Sequence, residues 1–268
     1  MKQPLKTVHV VDNYLINPTN PVLVNLIGAG GTGSQVLSAL ARISHSLVAL
    51  NHPGIFARVF DDDTVTEPNL GRQLFSAAEL GLNKGVALIN RINRFFGTNW
   101  KAIPKRYTKK YACDQPEYAS ANITISCVDT VAVRFEIADI LKVVSAKQET
   151  GRDKLLYWMD FGNNQFTGQV VLSTVQPVKQ PTSRKFKTID ELPFITDEFK
   201  NLLESAEENN TPSCSLAEAL TKQDLFINSS LASMGASLLW SMFREGMLTN
   251  RGFFINLKDF RALPLKII

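Results

Sequence analysis

Cysteine is scarce: Cys113, Cys127 and Cys214 are the only three in 268 residues, and no two form a CxxC pair. That excludes a disulfide framework and a four-cysteine structural zinc site. No run of eighteen apolar residues occurs, so no membrane span is expected. The opening MKQPLKTVHVVDNYLINP lacks the basic region, apolar stretch and small-residue cleavage site of an export signal, and a soluble, cytoplasmic protein is expected. Charge is nearly balanced, 29 Lys and Arg against 25 Asp and Glu, and a net +4 is too small to argue for a nucleic-acid partner. Two basic stretches, Lys101 to Lys110 and Lys179 to Lys187, read as solvated loops, with docking of an acidic protein as the alternative. His9, His45 and His52 have no metal-ligand spacing and read as surface or turn residues. No internal repeat or low-complexity tract is present.

What the chain does have is an ordinary globular composition, 44% apolar and 20% charged, with enough length to bury a sizeable core. Residues 21–27 form a short apolar run ending in Gly28, the pattern of a buried parallel strand. From Ser34 to Leu50, Val36, Leu37, Leu40, Ile43, Leu47 and Leu50 recur at helical spacing. Pro53 and Gly54 then make a turn, and Ile55 to Phe60 is a second strand ending in three aspartates. Helices near 83–95 and 131–144 and strands near 122–128, 155–160 and 169–175 continue the alternation. It predicts a Rossmann-like α/β fold, a mainly parallel central sheet with helices on both faces and a C-terminal α/β extension. One domain is expected over 1–268: a lead-in at 1–20, a nucleotide-binding core at 21–175, a flexible crossover segment at 176–215, and C-terminal helices and strand at 216–268. Within the last part, residues 216–242 read as one or two helices and 252–257 as the final strand.

Gly28-Ala29-Gly30-Gly31-Thr32-Gly33 fits GxGxxG between a strand and a helix, the context in which that pattern carries information. Glycine lets the backbone turn sharply and approach a phosphate, while the helix N-terminus offers free N–H donors. A tight turn without a ligand is the plainer alternative. Asp61, at the end of the second strand, stands where such folds place a ribose-binding acid. To this point a dehydrogenase and an ATP-binding enzyme fit equally.

The next segment separates them. Asp61, Asp63, Val65, Asn69, Arg72 and Gln73 keep the spacing DxDxVxxxNxxRQ; Gly81 and Lys84 keep GxxK; Cys127, Asp129 and Arg134 form a C-x-D element ending in arginine. Together, over about Val22 to Arg134, they resemble the ThiF/MoeB/ubiquitin-activating superfamily. The closest look is the ThiF family protein of the plasmid-borne PRTRC cassette. The resemblance implies adenylation of a carboxylate with ATP and Mg2+. Asp61 and Asp63 would lie in the nucleotide site, Asn69, Arg72, Gln73 and Lys84 would serve the phosphates, and Asp129 would hold the metal. These residue types suit the chemistry: an arginine forks onto phosphate, a lysine adds a point charge and a carboxylate holds Mg2+. Each also has a plainer role: Asn69 and Asp129 as helix caps, Arg72 in a surface ion pair, Lys84 as a solvated lysine.

Two departures stand out. Zinc-binding members carry two CxxC pairs, so no zinc is expected here. Many members insert an N-terminal arginine from the partner subunit, but no arginine precedes Arg42. Conjugating members pass the acyl group to a cysteine; Cys214 is the candidate nucleophile, with a buried apolar role as the alternative. Cys127 reads as structural and Cys113 as a loop residue. The implied partner is a small ubiquitin-like or sulfur-carrier protein, and a homodimer is implied by the same resemblance. A non-protein carboxylate and a catalytically weak nucleotide-binding scaffold remain the other readings.

Overall fold

A computed structural model describes residues 5–147, 154–204, 218 and 221–268. The first half comprises β1 (Lys6–Val10), α1 (Asn13–Ile16), β2 (Val22–Ile27), α2 (Gly31–Ala49), β3 (Ile55–Phe60), α3 (Lys84–Phe96) and β4 (Lys101–Ile103). Then follow α4 (Lys109–Asp114), α5 (Pro116–Ala119), β5 (Ile123–Ser126), α6 (Val131–Lys147), β6 (Tyr157–Asn163) and β7 (Thr167–Thr174). The rest is β8 (Phe186–Thr188), α7 (Ile195–Glu198), α8 (Lys200–Glu204), α9 (Ile227–Glu245), β9 (Met247–Leu248), β10 (Asn250–Asn256) and β11 (Arg261–Lys266).

β2 lies inside an eight-stranded sheet of order β11-β10-β7-β6-β5-β2-β3-β4, and all six of its residues are buried. Burial on both faces is what a parallel strand between helical layers requires. The polar member, Asn25, is reconciled with this by donating to the carbonyls of Tyr118 and Ala119. The five strands from β6 to β4 run parallel, and β7, β10 and β11 continue the sheet antiparallel. The expected mainly parallel sheet with helices on both faces is therefore present. On one face α2, α3 and α9 bury Leu37, Leu40, Leu88, Leu231 and Leu239; on the other, α4 and α6 pack Ala112, Ile137 and Leu141 with Phe60 and Trp158. The strand order reverses at β2, whose chain continues to β3 on one side while β5 pairs on the other; ligands of open α/β sheets bind at such a point.

Several expectations need correction. The lead-in contributes a strand that was not expected there: β1 pairs with β8 in parallel and with β9 antiparallel, forming a second, three-stranded sheet. Its partners are far away in the chain, so no local signal announces it. His9 is fully buried there, not on the surface; its Nδ1 lies 2.7 Å from the Ile189 carbonyl and its Nε2 2.9 Å from the Tyr157 hydroxyl. Burial pushes its pKa down. The described part of the crossover segment contains β8, α7 and α8. Of the basic stretch 101–110, residues 101–103 form the edge strand β4 and 109–110 open α4, the helix that also carries Cys113. Residues 250–256 are not the last strand: β11 follows, exposed along most of its length and carrying Pro264, which an outer strand tolerates.

Candidate functional site

The turn from β2 into α2 is built around backbone contact. Gly28 has φ +91°, and a Cβ there would come within 2.6 Å of the Cys127 carbonyl oxygen. A Cβ on Gly33 would stand 1.9 Å from the Gly28 oxygen, so the first helical turn folds against the loop that precedes it. Gly30 is the cap of α2 and offers no side-chain hydrogen bond to the first-turn amides. A Cβ on it would meet nothing within 4 Å. That combination, a sharp turn on one side and open space at the helix N-terminus on the other, suits close approach by an anion.

The ends of the neighbouring strands converge on this turn. The Asp61 carboxylate accepts from the Ala29 amide at 2.6 Å and from the Asp63 amide at 3.0 Å. Burial raises its pKa from the ordinary aspartate value, a push that the two amides and Lys84 only partly offset. Asp61 thus braces the glycine turn. Asp63 is ion-paired with Lys84 at 2.8 Å; the lysine is 8% exposed although it opens α3. Asn83 caps that helix by accepting from the Val86 amide, and its Nδ2 donates to the Asp61 and Asp63 carbonyls. One asparagine therefore fixes both the acidic strand end and the lysine.

Asn69 takes the plainer role the sequence allowed: its Oδ1 accepts from the backbone and hydroxyl of Thr66, capping a short 3-10 turn over Glu67–Asn69. Gln73 is buried, and its Oε1 has no partner among the described residues. Arg72 is different from a surface ion-pair arginine. Its Nη1 donates to Gln223 Oε1 at 2.6 Å, its Nε is buried without a partner, and no carboxylate pairs with it among the described residues. Desolvation lowers its pKa. A guanidinium carries five N–H donors, and this one retains unmet capacity beside no counter-charge.

Just beyond β5, Cys127 donates its amide to Ile27, which locks the strand end to the glycine turn. Burial pushes the Cys127 thiol well up and the nearby Asp160 adds to it, so the sulfur is no ready nucleophile. Asp129 is exposed two residues later, with no hydrogen-bonded partner among the described residues. Its loop is held by Arg134, which donates to the Val128 carbonyl at 2.7 Å and pairs with Asp160 at 3.1 Å. Asp160 also accepts from Ser126 Oγ, whose hydroxyl accepts from Trp158 Nε1. Cys214 lies outside the described residues.

Sequence reasoning missed the residues that α9 and the segment before it contribute. Asn228 presses on the glycine turn: a Cβ on Gly31 would fall 2.6 Å from its Nδ2. Its Oδ1 accepts from Thr32 Oγ1 at 2.8 Å, and its Nδ2 donates to Gln223 Oε1 at 2.9 Å, the atom that also receives Arg72. A chain of polar contacts thus runs from the glycine turn to Arg72. The available signal was a polar residue inside an apolar helical run.

A doubly wound sheet with a glycine turn at its switch point defines a Rossmann-type α/β protein. Within that class, the sequence profile of the ThiF family matches residues 19–261, and the chain belongs to the ThiF family. No curated protein sequence matches it. Among solved structures, PaaA is similar with a TM-score of 0.59 at 15% identity, covering 92% of this chain and 64% of PaaA. MccB of E. coli is similar with a TM-score of 0.56 at 14% identity, covering 91% of this chain and 62% of MccB. MccB solved with ATP gives 0.53 at 16% identity, covering 91% and 63%. The chain spans less than two thirds of the length of these structures, and at such identity the likeness is one of fold.

Proposed function

We propose that this protein activates a carboxylate by adenylation. A carboxylate oxygen attacks the α-phosphorus of ATP, the bond from that phosphorus to the bridging oxygen breaks, and pyrophosphate leaves as an acyl-adenylate forms. The observation that carries this reading is Arg72: half-buried, without a counter-charge among the described residues, and connected by side chains to the glycine turn. The turn's open face and first-turn amides receive phosphate oxygens, and Arg72 and the Asn69 amide neutralise and orient them. Lys84 contributes charge from its buried position, steadied by Asp63. Asp61 keeps the turn in shape and borders the ribose, and Gln73 supports the phosphate side.

Among the described residues no group of three or more His, Cys, Asp and Glu could hold a metal ion. A lone exposed Asp129 beside the turn still fits Mg2+, which is commonly held by one or two carboxylates together with phosphate oxygens and water. Bound there, Mg2+ would neutralise charge on the triphosphate. The carboxylate is the C-terminus of a small ubiquitin-like or sulfur-carrier protein, and a thioester on Cys214, a homodimer and a place in the PRTRC cassette belong to the same reading. A peptide end is the other carboxylate to try first, because structures of similar fold include MccB together with MccA. A scaffold that binds ATP without turnover is the second reading.

Titration calorimetry with ATP and Mg2+, then NAD, followed by ATP–pyrophosphate exchange over both carboxylate classes, tests the proposal. Asp129→Ala should abolish exchange while leaving stability within about 0.5 kcal/mol, as for an exposed side chain. Exchange that persists in this variant would remove the mechanism. ATP binding without exchange would select the scaffold, and preferential NAD binding would reject both.

A further inference from the structure

We propose that Gln223 is a neutral placeholder in an anion receptor centred on Arg72, set in position by Asn228. This rests on the adenylation reading for the identity of the anion, not for the existence of the receptor.

Among the described residues Gln223 Oε1 is the single acceptor for the Arg72 guanidinium, at 2.6 Å, and the same oxygen takes the Asn228 amide at 2.9 Å. Asn228 is 2% exposed and is fixed at its other end by the Thr32 hydroxyl. It therefore has one way to point, and that orientation delivers Gln223 to Arg72. The backbone around Gln223 is anchored too: Gln165 Nε2 donates to the Thr221 carbonyl and the Asp224 amide donates to the Gln165 carbonyl. The glutamine is held from both sides while Arg72 Nε stays buried and unmet.

A buried cation can be satisfied permanently by a carboxylate or kept available by a neutral acceptor. A glutamine oxygen, shared here with Asn228, accepts from the guanidinium without a charge of its own, leaves the positive charge uncompensated, and can be outcompeted by a phosphate that offers several charged oxygens. A glutamate of nearly the same shape would pair with Arg72 and cancel the charge that an incoming triphosphate needs. The choice of amide over acid at position 223 thus sets whether the receptor is open. The contacts also give Asn228 a reason to sit against Gly31, since a larger residue at 31 would push it out of line. Gln223 and Asn228 are positioning residues: they act through Arg72.

The test is Gln223→Glu in the full chain, beside Gln223→Ala and Arg72→Ala. ATP with Mg2+ and inorganic tripolyphosphate are titrated calorimetrically, and urea midpoints are measured in parallel. Gln223→Glu should raise the urea midpoint and weaken both ligands by about tenfold or more, opposite signs that a packing role would not produce. Gln223→Ala should weaken them less, since it adds no competing charge. Tripolyphosphate binding without ATP binding, lost in Gln223→Glu, would support the receptor and reject the adenylation reading. Wild-type affinity in Gln223→Glu, equal losses in the Glu and Ala variants, or no binding of either ligand to the wild type would overturn the inference.

Discussion

The segment after β3 and the ends of β5 and β6 each hold an arginine partly or wholly out of solvent and treat it in opposite ways. At the end of β5, Arg134 is 5% exposed and has a carboxylate, Asp160, and two carbonyls, Val128 and Phe161, around its guanidinium. After β3, Arg72 has, among the described residues, a single neutral acceptor and a buried Nε with none. Arg251 follows the first pattern: buried against Glu198, it also donates to the Leu172 and Pro193 carbonyls, and burial lowers its pKa to about 10. Burial alone therefore does not separate a structural arginine from one kept for a ligand. The partner set does, because an internally neutralised charge has nothing left to offer an anion.

The largest effect expected from breaking this contrast is at Asp160. Asp160→Ala leaves Arg134 buried without its counter-charge and should cost about 3–5 kcal/mol in urea unfolding, the usual result of deleting one member of a buried pair. A loss under about 1 kcal/mol would mean that the Val128 and Phe161 carbonyls suffice. Arg72→Ala should do the reverse, with stability changing by less than about 1 kcal/mol and ATP affinity falling by about 1.5–3 kcal/mol, or some 10- to 150-fold. If stability fell instead and affinity held, the two arginines would be alike.

The smallest effect concerns Asp61, the brace of the glycine turn. The folded-state pKa of Asp61 is raised above 3.8, so the native state takes up the proton at higher pH than the unfolded chain does. Its contribution to stability therefore grows as pH falls through the raised value towards 3.8 and is absent above that window. The difference in urea midpoint between wild type and Asp61→Asn, followed over pH, should show this gain in the wild type alone. A difference that stays flat on acidification would contradict the desolvated environment.

The placement of many candidate residues in the fold was legible beforehand because its logic is local. Glycines 28, 30 and 33 follow a buried strand, and Asp61, Lys84 and Asp129 stand at strand ends or a helix start where the alternation of elements puts them. Asn69 was readable as a cap, and it caps. His9 and β1 were misread because their partners, Ile189, Tyr157 and β8, lie well over a hundred residues away. β11 escaped because an exposed edge strand containing proline lacks the alternation that marks half-buried strands.

By itself, then, the sequence determined the βαβ core, the glycine turn and the order of the polar residues along it, since these depend on backbone sterics and on side-chain periodicity over a few residues. Tertiary structure alone decided which of those polar residues are spent inside the protein. Arg72 meets Gln223 across 151 positions and Thr32 meets Asn228 across 196. No spacing rule spans such distances, because what brings these pairs together is the packing of α9 over the head of α2, after the whole sheet has formed.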